Sequence, residues 1–175
     1  MTDSAAKPRQ RIGPSLELRL NQLLAGRSEL SVASAESCTG GEIAHRITSV
    51  AGSSAYFLGS LVTYSNAAKI QLLGVPAEVI DSVGAVSEEC ARAMADGARR
   101  AFHADLAVST TGIAGPGGAT ARKPVGLVYI GLAGPTSTAV ERHVFGGDRT
   151  AVIDAAAERA LELLVSAAED LMSPS

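Results

Sequence analysis

Among 175 residues the chain has no tryptophan, three tyrosines, three phenylalanines and two cysteines. A core with so few rings is filled by Ala, Val, Leu and Ile. That favours helices packed closely on a sheet over a sandwich built round large side chains. The same shortage argues against single-strand nucleic-acid binding, which relies on aromatic stacking platforms. Cys38 and Cys90 are too few for a disulfide scaffold or a four-cysteine zinc site, so the expectation is reduced thiols, no metal and a cytoplasmic location. No apolar run approaches the ~18–20 residues needed to span a bilayer. The N-terminal MTDSAAKPRQRIGPS carries charge with no apolar stretch behind it, unlike a secretory signal. Nor is there an excess of positive charge: 15 Lys and Arg face 18 acids, a formal net charge of −3. A broad phosphate-backbone surface is thereby excluded, and neither nucleic acid nor membrane is expected as a partner.

What is present is a 46% hydrophobic chain of a length that suits one domain. Residues 1–13 are polar and aperiodic and read as a disordered tail; 14–175 read as a single domain. Leu16, Leu20, Leu23 and Leu24 have helical spacing, and Gly26 is a stop. Residues 30–35 form a short strand, and 42–48 a helix whose start carries the capping-box spacing Thr39 to Glu42. A strand over 56–64 leads to Ser65, the cap of a helix that ends at Leu73 before Gly74 and Pro76. Ser87, Glu88 and Glu89 open a long helix with Cys90, Met94, Ala98 and Ala101 along one face. A strand over 105–110 precedes a Gly- and Pro-rich loop. Strands over 125–133 and 138–145 lie close enough to pair as a hairpin, and an Ala-rich helix runs to about Leu171. Helices alternating with strands, plus a terminal hairpin, point to an α/β fold whose sheet mixes parallel and antiparallel pairs.

Three polar, Gly-containing segments follow strands: 36–41, 64–69 and 111–118. Ligands of open α/β sheets bind at such places. Ser37 reads either as a helix cap or as a nucleophile in a tight turn, with the N–H groups of Thr39, Gly40 and Gly41 as an oxyanion hole. Cys38 is an alternative nucleophile. None of His45, His103 and His143 has the setting of a triad partner. Of the three lysines, Lys7, Lys69 and Lys123, only Lys69 lies near a strand end, one turn into a helix. It reads as a solvated lysine or, if burial lowers its pKa from ~10.4 to ~7–8, as a base. The loop 111–125 matches neither Walker A nor dinucleotide-binding spacing. Arg149, at the start of the last helix, suits a phosphate or carboxylate, or else pairs with Asp148.

The blocks AESCTGG (35–41), AGSSAYF (51–57), VTYSNAAK (62–69), LLGV (72–75), GAVSEE (84–89), TGIAGPGG (111–118), KPVGLVY (123–129) and GDR (147–149) occur in one order. Together they closely resemble the CinA C-terminal domain family, whose active members deamidate nicotinamide mononucleotide. The resemblance covers about residues 14–172. It implies a three-layer α/β/α sandwich with a mixed, mostly parallel five-stranded sheet. It further implies hydrolysis of the carboxamide to nicotinate mononucleotide and ammonia, in pyridine-nucleotide recycling, without a cofactor. The family's serine, tyrosine and lysine map onto Ser37, Tyr64 and Lys69. Thr111, Gly112 and Arg149 then join Thr39, Gly40 and Gly41 in binding substrate or oxyanion. Family members are commonly dimers or larger, so a homo-oligomer is expected. Ala67 and Arg122 depart from the family's usual acids. The competing expectations are a non-catalytic nucleotide-binding module in the same pocket, and an amidohydrolase of another small amide.

Overall fold

The computed structural model describes residues 14–26 and 29–173; the expected tail at 1–13 lies outside them, as do 174 and 175. Five strands, β1 (Val32–Glu36), β2 (Phe57–Val62), β3 (Leu106–Gly112), β4 (Leu127–Ala133) and β5 (Thr138–Val144), form one sheet in the order β2-β1-β3-β4-β5. β1 pairs parallel with β2 and β3, whereas β3–β4 and β4–β5 are antiparallel. Only β4 is reversed, so four strands point one way and the expected mixed, mostly parallel sheet is present.

Residues two apart along a strand share a face. On one face Val32, Leu106, Val108, Val128 and Ile130 pack against α1 (Leu16–Leu24), α2 (Glu42–Thr48) and α6 (Arg149–Met172). On the other, Ala33, Ala35 and Ala107 meet α3 (Asn66–Leu73) and α5 (Glu88–Phe102). The three layers are thus asymmetric: large aliphatics face α6, alanines face α5. Small residues let α5 come close. A Cβ on Gly131 of β4 would lie 2.7 Å from the Ala91 carbonyl oxygen, and one on Gly97 of α5 only 2.1 Å from that of Leu73. Ser109 of β3 closes the same contact by donating to the Ala91 oxygen at 2.6 Å.

Three local expectations change. The six-residue α4 (Ala77–Ser82) starts directly after Pro76, which is its N-cap as well as a stop after α3. Ala101 is exposed, because the buried face of α5 ends at Ala98. The capping box is not made: the N-cap of α2 is Gly41, at φ 107°, with no side-chain cap of its own. Among the described residues, no helix is long and apolar enough to cross a membrane.

Gly97→Ala tests the close packing. Helix propensity alone would stabilise an interior Gly→Ala change by about 1 kcal/mol. The contact with Leu73 reverses the sign, and a net loss of about 1–3 kcal/mol is expected. Urea unfolding should show a lower midpoint with unchanged slope; a raised midpoint would contradict the packing described.

Candidate active site

The site grows from the end of β1. Glu36 is wholly buried, and its carboxyl oxygens accept from the N–H groups of Gly41 at 3.0 Å, Ile43 at 3.1 Å and Ala44 at 2.9 Å. These are amides of the first turn of α2, which a helix cannot satisfy itself. Thr39 Oγ1 also donates to Glu36, at 2.7 Å. With that proton spent, the 2.7 Å contact between the Thr39 and Thr110 hydroxyls has Thr110 as donor. Glu36 therefore does the capping that the sequence assigned to Thr39 or Ser37.

This frees Ser37. Being one residue on, its side chain leaves the opposite face of the sheet, toward α3. There Lys69 Nζ lies 2.9 Å from Ser37 Oγ. Lys69 is 1% exposed. Its Nζ also donates to the carbonyl oxygens of Thr63 at 2.6 Å and Tyr64 at 3.5 Å. Among the described residues no carboxyl group pairs with it. Burial pushes the lysine below its ordinary value, offset in part by the electrostatic influence of the Cys90 and Cys38 sulfurs. The amine is placed by α3, whose Ser65 N-cap accepts from Ala68 N–H and whose Gly74 ends it.

Ser37, Tyr64, Lys69, Thr111, Gly112 and Arg149 all line one cavity of about 260 Å³. Asn66, Ala85, Val86 and the glycines of 115–118 also line it. Arg149 is not tied to Asp148, which caps α6 through Ala151 N–H. Instead it donates to the Gly115 oxygen at 2.8 Å and to the Tyr64 hydroxyl at 3.2 Å. Thr111 Oγ1 donates to the Ala85 oxygen at 2.6 Å, fixing the far wall.

Some expected residues are placed differently. Thr39, Gly40 and Gly41 do not line the cavity. The Gly40 N–H donates to the Ser37 oxygen at 3.2 Å and that of Gly41 to Glu36, so neither is available to an oxyanion. Tyr64 is 65% exposed and its hydroxyl meets Arg149 rather than the serine–lysine pair; only its carbonyl reaches Lys69. Cys38 lies in the wall, but burial pushes its thiol up to about 11, which leaves it protonated and a poor nucleophile. No histidine lines the cavity. Glu36 is the residue that sequence reasoning missed. Its one signal was an acid at a strand end, a few residues before a glycine-led helix.

The fold and site define a three-layer α/β protein with a buried serine–lysine pair at the end of its central parallel strands. A family model described as the CinA C-terminal domain matches residues 14–168, and the chain belongs to that family. It is 62% identical over 130 residues to a CinA-like protein of Citrifermentans bemidjiense, covering 74% of this chain and 31% of that one. It is 50% identical over 150 residues to a putative competence-damage inducible protein of Moorella thermoacetica, covering 86% and 36%. The chain thus spans about a third of the length of these curated relatives. Among solved structures, the competence/damage inducible protein CihA from Agrobacterium tumefaciens superposes with TM-score 0.82 at 40% identity, covering 89% of this chain and 98% of that one. A CinA superfamily protein from Klebsiella pneumoniae gives 0.83 at 32% identity, covering 89% and 96%.

Glu36→Ala would leave three helix N–H groups and Thr39 without their acceptor. A loss on the order of 3 kcal/mol is expected, lowering the melting temperature by roughly 6–12 °C in a domain of this size. A melting temperature within 2 °C or so of the parent would show that water caps α2 equally well.

Proposed function

We propose that the chain hydrolyses the carboxamide of nicotinamide mononucleotide, giving nicotinate mononucleotide and ammonia, as a cytoplasmic amidohydrolase of pyridine-nucleotide recycling. The observation that carries this reading is the 2.9 Å contact between Ser37 Oγ and the buried Lys69 Nζ, with no carboxyl group paired to the lysine. A neutral amine keeps two N–H groups and one lone pair. The Thr63 and Tyr64 carbonyls accept the two hydrogens, and the lone pair remains for the serine hydroxyl. Ser37 Oγ then attacks the carboxamide carbon while its proton passes to Lys69. Collapse of the tetrahedral intermediate returns that proton to the leaving nitrogen. Ammonia departs and an ester to Ser37 remains. Water, deprotonated by Lys69 in the same way, cleaves the ester and releases the acid.

The oxyanion is assigned to the N–H of Cys38 in place of Gly40 and Gly41. The Gly40-to-Ser37 hydrogen bond closes a turn whose second residue is Cys38, and Cys38 borders the cavity. The substrate phosphate is assigned to Arg149 and the amides of the 115–118 loop, with Tyr64 held against Arg149 at the mouth. A single phosphate needs only such a local anion site, which agrees with a net charge of −3.

Ammonia release from nicotinamide mononucleotide, followed in a coupled assay, tests the reading. Ser37→Ala is expected to lower kcat/KM by roughly 10⁴-fold or more with the fold retained; retained activity would refute the nucleophile. The base must be neutral to act, and burial lowers its pKa. Activity should therefore rise with pH along a limb centred below the ordinary lysine value of about 10.4. A limb centred at or above that value would remove Lys69 as the base. Binding of the mononucleotide without turnover would mark the site as a nucleotide-binding module.

A further inference from the structure

Beside the serine–lysine cavity lies a second, larger groove of about 590 Å³. Val86 lines both, so the two adjoin. Three cations line the groove: Arg122 and Lys123 from the loop before β4, and Arg142 from β5. Two acids line it as well, Glu88 and Glu89, but Glu88 is already paired with Arg92 at 2.9 Å. Lys123 has a structural task, donating to the Val83 oxygen at 2.6 Å. Arg122 and Arg142 are exposed and make no ion pair among the described residues. Arg142 stands directly opposite Tyr129 in the β4–β5 ladder, so guanidinium and phenol share one face within the groove.

Free guanidinium groups beside an aromatic ring suit one ligand chemistry well. Arginine binds phosphate oxygens through two parallel N–H bonds, and both it and tyrosine offer flat faces to a base. A groove of this volume is of the size that small-molecule ligands occupy. We infer that this groove is a subsite for the phosphate and base of a second nucleotide. An amide-bearing pyridine dinucleotide then binds with its carboxamide at Ser37, its first phosphate on the amides of the 115–118 loop and its other nucleotide farther along that loop, on Arg122 with Arg142 and Tyr129. The substrate half of this inference rests on the amidohydrolase reading; the groove's affinity for a nucleotide does not.

Two measurements on the full chain separate these halves. Adenosine 5′-diphosphate is titrated calorimetrically into the parent protein and into an Arg122→Glu/Arg142→Glu variant. Both positions are exposed and outside the serine–lysine cavity, so the variant retains its fold and the change falls on the groove. The parent is expected to bind, more weakly as salt is raised, and the variant at least about tenfold more weakly still. A parent that does not bind, or a variant that binds equally, overturns the subsite. Ammonia release is then compared for a pyridine mononucleotide and the corresponding dinucleotide. The double variant should lose at least about tenfold in kcat/KM on the dinucleotide and less than about twofold on the mononucleotide. Equal losses on both, or a dinucleotide that the parent does not hydrolyse while it hydrolyses the mononucleotide, overturn the bipartite substrate. Absence of turnover on either substrate refutes the amidohydrolase reading and with it the substrate half, while the titration still decides the groove.

Discussion

Glu36 reaches out of the sheet from the last residue of β1 and ends in the first turn of the helix that follows. Each side of that contact makes the other tolerable. An unsatisfied buried N–H costs about 1–3 kcal/mol, and a buried carboxyl with no donors costs more. Three amides and a threonine hydroxyl on one side chain remove both costs at once. The consequence for chemistry follows from the period of two along a strand. With Glu36 committed to the α2 face, its neighbour Ser37 is turned to the other face, where α3 brings Lys69. Capping of α2 and the contact with Lys69 are thus divided between adjacent residues by the pleat.

That division repeats across the whole sheet. The α6 face is filled with Val, Leu and Ile, whereas the face that carries the serine–lysine pair is lined with alanine, glycine and serine. Close approach of α5 brings its leading loop, residues 83–86, against the ends of β3 and β4. Thr111 holds the Ala85 carbonyl from the side of the serine, and Lys123 holds that of Val83 from the side of the second groove. The wall between the two cavities is therefore backbone pinned from both sides. The shortage of aromatic residues belongs to the same design: small side chains make the tight layer, and the site is walled by main chain and hydroxyls.

The architecture was legible in the sequence because its signals are local. Strand runs, the hairpin spacing of β4 and β5, and the caps at Ser65 and Ser87 all sit within a few residues of what they determine. Misreadings arise where a side chain acts at a distance. Thr39 has the spacing of a capping box, yet its hydroxyl goes to Glu36, a partner that exists only once β1 has ended beside α2. The Tyr64 hydroxyl meets Arg149, 85 residues away, and nothing near Tyr64 announces it. Read from residues alone, Ser37 could be a cap and Lys69 a solvated lysine; only the ordered blocks of the family pattern favoured chemistry. Burial of Lys69, a property of how α3 packs, removes the solvated reading, and Glu36 takes over the capping one.

The state of Lys69 is set by competing influences whose signs can be worked out. Burial removes the hydration of an ammonium group and lowers its pKa. Two neutral carbonyls act the other way, since each accepts a stronger hydrogen bond from the charged form than from the neutral one. A carboxyl group at the same place would have prevailed, because an ion pair favours the charged lysine far more than a carbonyl does. The acid next to the serine in sequence, Glu36, points to the opposite face of the sheet. The strand alternation that frees Ser37 from capping therefore also keeps a counter-ion away from Lys69.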